Sequence, residues 1–187
     1  HPNMDIKTSR IKAGDKIIVS GRIATHGIAI MSVREGLEFE TTIQSDTCHF
    51  NDIISKMAEL HGEHIHLLRD ATRGGIATVL NEIARDTSLG IDIHQKYIKV
   101  SEDVDGACEL LGLDPLYVAN EGVFVAIVDE SNAEDIIATL HTWENGLEAT
   151  IIGDVITDHP RQVILHSTIG GKRVVNMLLG EQLPRIC

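Results

Sequence analysis

The sequence predicts an α+β fold: a mixed β-sheet with helices packed against it, followed by an extended C-terminal tail. The 187 residues are 43% hydrophobic, which is enough for one sizeable core. Short β-branched runs mix with stretches of helical periodicity, but the order does not follow strict strand–helix–strand repeats. There is no internal repeat. We therefore interpret residues 1–9 as a lead-in, residues 10–177 as one domain and residues 178–187 as the tail.

The first half of the chain is predicted to form a few short elements that end at glycines. In chain order these are a turn at 12–15, a strand at 16–20, a helix at 27–35, a helix at 49–61 and a strand at 64–68. Gly36 and Gly62 are suitable stops for the two helices. Ser45–Thr47 is typical of a cap and is predicted to start the second helix.

The second half is predicted to be richer in strands. In chain order the patterns predict a helix that follows Gly75 and runs through Ile76 and Ile83, extended segments at 91–93 and 98–100, and a short helix capped by 101–103 and running through Leu111. They then predict strands at 116–119 and 123–128, a helix at 131–141, and strands at 150–152, 162–165 and 173–175. Strands at this density, with few helices between them, favour a mixed sheet over a purely parallel one.

Composition and charge exclude several classes of function. The 16 basic and 28 acidic residues give a net charge of −12, which argues against nonspecific binding to nucleic acid or to an anionic membrane. No apolar run reaches the roughly 18 residues of a membrane span, and the start does not resemble a signal peptide. The three cysteines form no CxxC pair. We expect a soluble, cytoplasmic protein in a reducing compartment.

The sequence ends on a cysteine, Cys187. Pro184 cannot continue a helix, because proline lacks the N–H and holds the preceding residue extended. The end is therefore predicted to be a short mobile arm with a thiol at its tip, which could visit more than one site. The alternative is that this terminus, like most, is poorly ordered and its cysteine has no function.

The run from Asp70 to Gly75, here called the phosphate turn, lies between a predicted strand and a predicted helix. Its two glycines allow close approach of a ligand, and the helix N-terminus offers free N–H groups and the positive end of the dipole. Arg73 can add positive charge, and Asp70 can hold Mg²⁺ or orient a substrate. The alternative is an ordinary strand-to-helix turn without a ligand.

The run Asn120–Glu121–Gly122, here called the carboxylate loop, lies between two apolar segments. A partly desolvated Glu121 could have a pKa raised toward a useful value for a general base. The alternative is a turn with an exposed glutamate. His26 lies at another strand-to-helix junction and Asp46 in a polar run, and both have structural alternatives as cap or solvated residues.

Three histidines, His61, His64 and His66, suggest a metal site. His64 and His66 would share one face of a strand, but no cysteine or acidic cluster lies nearby in the sequence to complete a coordination shell. A partly exposed edge strand explains them better, so we predict no metal site within this chain.

Taken together, four segments resemble the HypE family of hydrogenase maturation factors: Leu68–Gly75, Cys108–Leu116, Val118–Gly122 and Pro184–Cys187. The resemblance covers essentially the whole chain, and the final Pro-Arg-Ile-Cys is its most specific part. This family belongs to the superfamily of aminoimidazole ribonucleotide synthetase, selenophosphate synthetase and thiamin monophosphate kinase, whose other members lack the tail. It implies the C-terminal domain of that fold.

The resemblance implies an enzyme, an ATP-dependent carbamoyl dehydratase that makes the cyanide ligand of NiFe hydrogenase. The carbamoyltransferase HypF would load a carbamoyl group onto Cys187. The S-carboxamide would then be dehydrated to a thiocyanate, and the cyanide passed to iron on the HypC–HypD complex. In this chemistry Cys187 carries the substrate, and Glu121 is predicted to accept the N–H proton.

The remaining site residues are expected to bind the nucleotide or to complete the same cleft. Those predicted to contact ATP are Asp70, Thr72, Arg73, Gly74, Gly75, Asp46 and Asn120, with His26 as a further catalytic candidate.

The chain also departs from the family in one respect. Family members carry an N-terminal domain that supplies most contacts to ATP and Mg²⁺ and forms the dimer, and here that domain is absent or reduced to residues 1–9. We expect the chain alone to bind ATP weakly and not to turn over, and the full-length protein to be a homodimer. Two alternatives remain. One is another ATP-dependent amide- or selenide-activating enzyme of the superfamily, and the other is a non-catalytic docking module that presents its tail to partners.

Overall fold

The computed structural model describes residues 1–35 and 43–178 of the chain. Within these ranges the strands are β1 (Lys16–Val19), β2 (Ile65–Asp70), β3 (Gly90–His94), β4 (Phe124–Val128), β5 (Thr150–Ile156), β6 (Val163–His166) and β7 (Lys172–Val175). The helices are α1 (Thr25–Glu35), α2 (Asn51–His61), α3 (Gly75–Thr87), α4 (Glu102–Leu111) and α5 (Ala133–Leu140). The predicted stop at Gly36 and the tail beyond residue 178, with Cys187, lie outside the described residues.

All seven strands join one mixed sheet in the order β2-β4-β1-β5-β3-β6-β7. The pair β3–β6 is parallel, and the other five pairs are antiparallel. The α+β class with a mixed sheet is therefore confirmed. Strand β2 lies at one edge of the sheet, as predicted for the histidine-bearing strand, and β7 lies at the other edge.

Helices cover both faces of the sheet, because alternate residues of a strand point to opposite faces. Ile17 of β1 packs into the larger core, with apolar residues of α1, α3 and α4. Its neighbour Ile18 packs into a second core, with Met57 of α2 and Ile136 of α5. All four of these side chains are fully buried. Burying an aliphatic side chain of this size contributes about 2 kcal/mol, so both layers stabilise the strands that carry the candidate site.

The predicted strand at 116–119 is wrong. Residues Pro115–Tyr117 form a 3₁₀ turn, which begins where a side-chain oxygen of Asp114 accepts a hydrogen bond from the N–H of Leu116. Proline is suited to the first position of such a turn, since its missing N–H is not needed there. Leu116 is buried against the larger core, so burial rather than strand pairing explains the apolar run.

The predicted cap of the second helix is also wrong. Helix α2 begins at Asn51, its N-cap position is Phe50, and no side chain caps it. Ser45 bonds instead to the side chains of His26 and Thr47. The segment before α2 therefore belongs to the candidate site described below.

The lead-in contacts the domain through its backbone. The N–H of Lys7 donates to the carbonyl of His66 at 3.0 Å. A Cβ placed on Gly62 would lie 2.2 Å from the carbonyl oxygen of Asn3, so only glycine fits there. The division of the chain at residues 9 and 177 stays a prediction. None of the helices within 1–35 and 43–178 is long and apolar enough to cross a membrane.

Candidate active site

The phosphate turn and the carboxylate loop meet at one end of strands β2, β4 and β1. The N–H of Ala71 in the phosphate turn donates to the carbonyl of Val123, just beyond the carboxylate loop, at 3.1 Å. The start of α1 joins the same place, since the N–H of Gly27 donates to the carbonyl of Ala119 at 3.0 Å. Residues that are about 50 to 90 positions apart in sequence thus form one surface.

Asn120 links these segments from a fully buried position. Its side-chain oxygen accepts from the N–H of Ala24 at 2.7 Å, and its amide nitrogen donates to the carbonyls of Ala71 and Val118 at 3.0 and 3.1 Å. Ala24 has a positive φ of 72°, a conformation that costs free energy for any residue with a Cβ. Asn120 is thereby suited to position the site, and its predicted contact with nucleotide stays a prediction.

We expect Asn120→Ala to lower the free energy of unfolding by about 3 kcal/mol, because it removes three hydrogen bonds and leaves the buried N–H of Ala24 without its acceptor. Urea denaturation followed by circular dichroism would measure the change. Asn81→Ala is the matched control. The amide of Asn81 also donates to two carbonyls but is only half-buried, so about 1 kcal/mol is expected. Equal losses in both variants would contradict the positioning role of Asn120.

Two glycines let the segments approach closely. Gly75 has a φ of 61°, and a Cβ there would lie 2.4 Å from the carbonyl oxygen of Leu116. The backbone of Gly122 lies so close to that of Asp46 that a Cβ on residue 122 would be 1.8 Å from the carbonyl oxygen of Asp46. Packing between segments therefore explains both glycines, whether or not a ligand approaches them.

Asp46 holds the backbone of the carboxylate loop in place. One of its side-chain oxygens accepts from the N–H of Glu121 at 3.1 Å, and the other is buried without a hydrogen-bond partner. Burial raises the pKa of Asp46, and the N–H groups of Glu121 and Gly122 and the nearby His26 oppose that rise. Glu121 itself is half-buried, as predicted for a carboxylate in this loop.

His26 is buried rather than solvated. Its Nδ1 lies 2.8 Å from Oγ of Ser45, which lies 2.7 Å from Oγ1 of Thr47. His26 and Asp46 thus belong to one group next to Glu121. We predict that both residues line the same cleft as the carboxylate loop, and their positions are compatible with this. Their predicted functional roles stay predictions.

The phosphate turn presents exposed polar groups at the start of α3. Asp70 and Arg73 are exposed, and Oγ1 of Thr72 donates to the carboxylate of Asp70 at 2.8 Å. Arg69 is directed away, since its guanidinium pairs with Glu82 of α3 at 2.8 Å. The charged groups that remain at the turn are the carboxylate of Asp70 and the guanidinium of Arg73. The guanidinium suits a phosphate, and the carboxylate suits the cation that accompanies it.

A cavity of about 360 Å³ borders the carboxylate loop. It is lined in part by Thr25, Asp46 and Gly122, and across it Arg22 pairs with Glu148 at 3.0 Å. Neither Arg22 nor Glu148 is predictable as a site residue, because they are 126 positions apart and carry no motif. Cys48 was also missed: its thiol donates to the carbonyl of Gly122 at 3.7 Å, and burial raises its pKa.

The fold separates the three histidines that suggested a metal. His61 lies in α2 and contacts Oγ1 of Thr139 at 2.8 Å, and His64 precedes β2 rather than sharing its face with His66. Acidic residues that are distant in the sequence lie beside His66 in the fold. Nδ1 of His66 lies 2.7 Å from a carboxylate oxygen of Asp15, and Asp129 belongs to the same group.

The described part of the chain ends beside the phosphate turn. After β7 at the far edge of the sheet, the carbonyl of Asn176 accepts from the hydroxyl of Tyr117 at 2.9 Å. A Cβ built on Gly74 would lie 3.6 Å from Cδ2 of Leu178. The chain therefore returns from the sheet edge to the start of α3 before residue 179.

The chain is similar to known proteins over most of its length. Residues 12–166 match the family described as AIR synthase related protein, C-terminal domain. The chain is 46% identical over 184 residues to the carbamoyl dehydratase HypE of Rhizobium leguminosarum bv. viciae. The matched region covers 98% of this chain and 53% of that protein. The chain spans about half the length of the curated relatives it matches.

Two solved structures extend the similarity. The crystal structure of hydrogenase maturation protein HypE in complex with ATP has a TM-score of 0.91 and 40% identity, over 97% of this chain and 55% of that one. The crystal structure of a HypE–HypF complex gives a TM-score of 0.87 and 40% identity, over 92% of this chain and 55% of that one.

Proposed function

We propose that this chain, which belongs to the AIR synthase related protein family and carries its C-terminal domain, is the C-terminal part of an ATP-dependent carbamoyl dehydratase of the HypE kind. The similarity to HypE proteins at 46% identity over nearly the whole chain supports this assignment. A cysteine at position 187 fits a carrier of the carbamoyl group, and this residue would separate the proposed activity from other ATP-dependent reactions of the superfamily.

One observation carries the proposal: the chain returns to the phosphate turn at Leu178. Cys187 follows nine residues later. Nine residues span at most about 30 Å when fully extended, so the thiol has the length of chain it needs to reach both the cleft beside its starting point and a partner outside. A carrier thiol anchored next to a nucleotide site is the arrangement that dehydration of its own cargo requires.

The residues of the cleft fit a nucleotide phosphate. The N-terminus of α3 is opened by Gly74 and Gly75, both with positive φ, and the exposed guanidinium of Arg73 lies beside it. Oγ1 of Thr78, one turn into α3, is buried without a hydrogen-bond partner. Asp70 would share the Mg²⁺ that accompanies ATP, with most of the metal and nucleotide contacts supplied by the N-terminal domain that we propose precedes this one.

The chemistry is a dehydration in which phosphate carries off the oxygen. ATP supplies a phosphoryl group that makes the carboxamide oxygen on Cys187 a leaving group. Arg73 and the N-terminus of α3 would hold the phosphates, and Glu121 would accept an N–H proton as the C–O bond breaks. One N–H proton would be lost to solvent as the oxygen is phosphorylated and the other to Glu121 as the C–O bond breaks and the C≡N bond forms. The S-carboxamide and ATP thus give thiocyanate, ADP, hydrogen phosphate and one proton.

Asp46 and His26 would serve this step by shaping the cleft. Asp46 fixes the backbone N–H of Glu121, so the carboxylate of Glu121 starts from a defined position. His26, through Ser45, connects the segment before α2 to the start of α1. Both residues would thus help to hold the loop that carries the proposed base.

We propose that the chain has two kinds of protein partner, one that delivers the carbamoyl group and one that accepts the cyanide. HypF would load the carbamoyl group, and a solved complex of a HypE relative with HypF supports this choice of partner. The HypC–HypD complex would take the cyanide for the iron of NiFe hydrogenase. The homodimer would form through the N-terminal domain. Cys48 and Cys108 are both free thiols, which suits a reducing cytoplasm.

Mass spectrometry of the C-terminal peptide tests the proposal. The chain, completed with its N-terminal domain, is incubated with HypF, carbamoyl phosphate and ATP. We expect a carbamoyl adduct on Cys187 that loses water only while ATP is present for the dehydration step. An adduct on any other residue, or loss of water without nucleotide, would contradict the mechanism. Titration of nucleotide into the chain alone separates the docking-module alternative, because a C-terminal domain of the enzyme should bind ATP weakly and regain affinity with the N-terminal domain.

A further inference from the structure

A second polar cluster lies at the opposite end of the three strands that carry the candidate active site. Asp15 precedes β1, His66 is the second residue of β2, and Asp129 follows β4 directly. Strand pairing brings these positions together, since Lys16 of β1 and Ile65 of β2 both pair with Val128 of β4. The cluster is therefore separated from the carboxylate loop by the length of β4, roughly 15 Å.

The three side chains converge closely. Nδ1 of His66 lies 2.7 Å from Oδ2 of Asp15, and one ligand atom from each of the three residues lies within 4.8 Å of the other two. Asp15 is completely buried, and His66 is 5% exposed. Taking a carboxylate and an imidazole out of water is costly unless a partner or a cation compensates them.

Hydrogen bonds within the protein satisfy only part of this cluster. Oδ2 of Asp15 accepts from His66 and from the N–H of Lys12 at 2.9 Å, but Oδ1 of the same carboxylate is buried without a hydrogen-bond partner. An unsatisfied buried carboxylate oxygen needs an explanation such as a bound water or ion. At the outer side of the cluster a cation is already present, the ammonium of Lys12, 2.7 Å from Oδ2 of Asp129.

We propose that Asp15, His66 and Asp129 bind a divalent transition metal ion of the Zn²⁺ class. One imidazole and two carboxylates are ligands of that class, and such ions prefer nitrogen and oxygen donors about 2.0–2.2 Å away. Ligand atoms around such an ion are therefore about 3.3–4.3 Å apart, so the cluster needs only small side-chain shifts to close on it. The ion would displace the proton shared by His66 and Asp15 and the ammonium of Lys12, whose side chain is 61% exposed and can turn to solvent.

Such an ion would be structural and independent of the proposed enzyme activity. It would join the start of β1, the start of β2 and the end of β4, three neighbouring strands of the sheet. The opposite ends of these strands lead into the segments that Asn120 connects. The ion would thus stabilise the sheet beneath the candidate active site without touching it.

Titration of Co²⁺ into the purified chain, stripped with EDTA, tests this site. Co²⁺ takes the place of Zn²⁺ and reports an imidazole–carboxylate site by its visible absorption. We expect one equivalent to bind, Zn²⁺ to displace it, and the melting temperature to rise with either ion. Asp129→Asn and His66→Gln should each weaken binding by at least about 100-fold, since each removes a direct ligand. His64→Gln, the neighbouring histidine outside the cluster, should bind like the parent chain.

The variant Lys12→Ala distinguishes a metal site from a plain ion-pair network. If Lys12 competes with the metal for Asp129, its removal should tighten Co²⁺ binding by about three- to fivefold. This factor corresponds to the free energy that a surface ion pair usually contributes. Asp129 is partly exposed, so Asp129→Asn and Lys12→Ala remain informative even if His66→Gln does not fold. Absence of Co²⁺ binding, or binding that survives Asp129→Asn, would overturn the proposal.

Discussion

The variant Cys187→Ser should form no thiocyanate and carry no carbamoyl adduct on its C-terminal peptide. A thiolate is the stronger nucleophile toward the carbamoyl group, and a serine hydroxyl stays protonated at neutral pH. In the proposed mechanism the cargo is built on the sulfur itself, so we expect a complete loss rather than a partial one. The measurement is mass spectrometry of the C-terminal peptide after incubation of the full-length protein with HypF, carbamoyl phosphate and ATP.

Two further cysteines of the chain provide controls for this experiment. Cys108 is buried, and burial raises its pKa to about 12, so it should not accept a carbamoyl group. Cys48 borders the carboxylate loop, but burial raises its pKa as well. Cys48→Ser and Cys108→Ser should therefore keep the adduct on Cys187. A Cys187→Ser protein that still supplied cyanide would contradict the carrier role.

The variant Glu121→Gln should slow thiocyanate formation by about 10²–10⁴-fold, the usual contribution of a positioned general base. Glutamine keeps the size of the side chain but cannot accept the proton from the carboxamide nitrogen. The backbone N–H that donates to Asp46 is kept in the variant, so this contact should be unchanged. The rate of water loss from carbamoylated Cys187 in a single turnover is the quantity to measure.

Glu109→Gln is the matched control for Glu121→Gln. Glu109 is exposed on α4, outside the three segments of the candidate site, so the variant should keep the parent rate. ATP binding should be similar in both variants, because the phosphate turn is untouched. A parent-like rate for Glu121→Gln would exclude Glu121 as the base and leave His26 as the next candidate.

Much of the fold is predictable because local pattern and tertiary burial agree. The β-branched runs that become β1, β4 and β6 are buried in the sheet. Helix α2 ends at His61 before Gly62, as predicted, although Gly62 has a φ of −52° rather than the positive φ typical of such a stop. The run at 116–119 defeats the pattern because its apolar side chains are buried from a 3₁₀ turn. The hydrophobic periodicity and composition of so short an apolar run do not distinguish a buried 3₁₀ turn from a strand.

The candidate site is predictable only where a motif marks it. The phosphate turn and the carboxylate loop stand out as polar breaks between apolar runs, and the fold places them together. Arg22, Glu148 and Cys48 carry no such mark. The same holds for Asp15 and Asp129, which join His66 only because the antiparallel pairing of β1 and β4 brings together residues 114 positions apart. Contacts at that sequence separation depend on topology.

The return of the chain to Leu178 beside the phosphate turn has a kinetic consequence. In the proposed mechanism the carboxamide is attached to Cys187, nine residues after Leu178, and would meet the phosphate turn at an effective concentration on the order of millimolar, whatever the amount of protein in the cell. Dehydration would then be a first-order event of each molecule, with no Michaelis constant for the carboxamide. Only loading and unloading by other proteins would respond to dilution, so the abundance of the neighbours, rather than of this chain, would set the flux of cyanide.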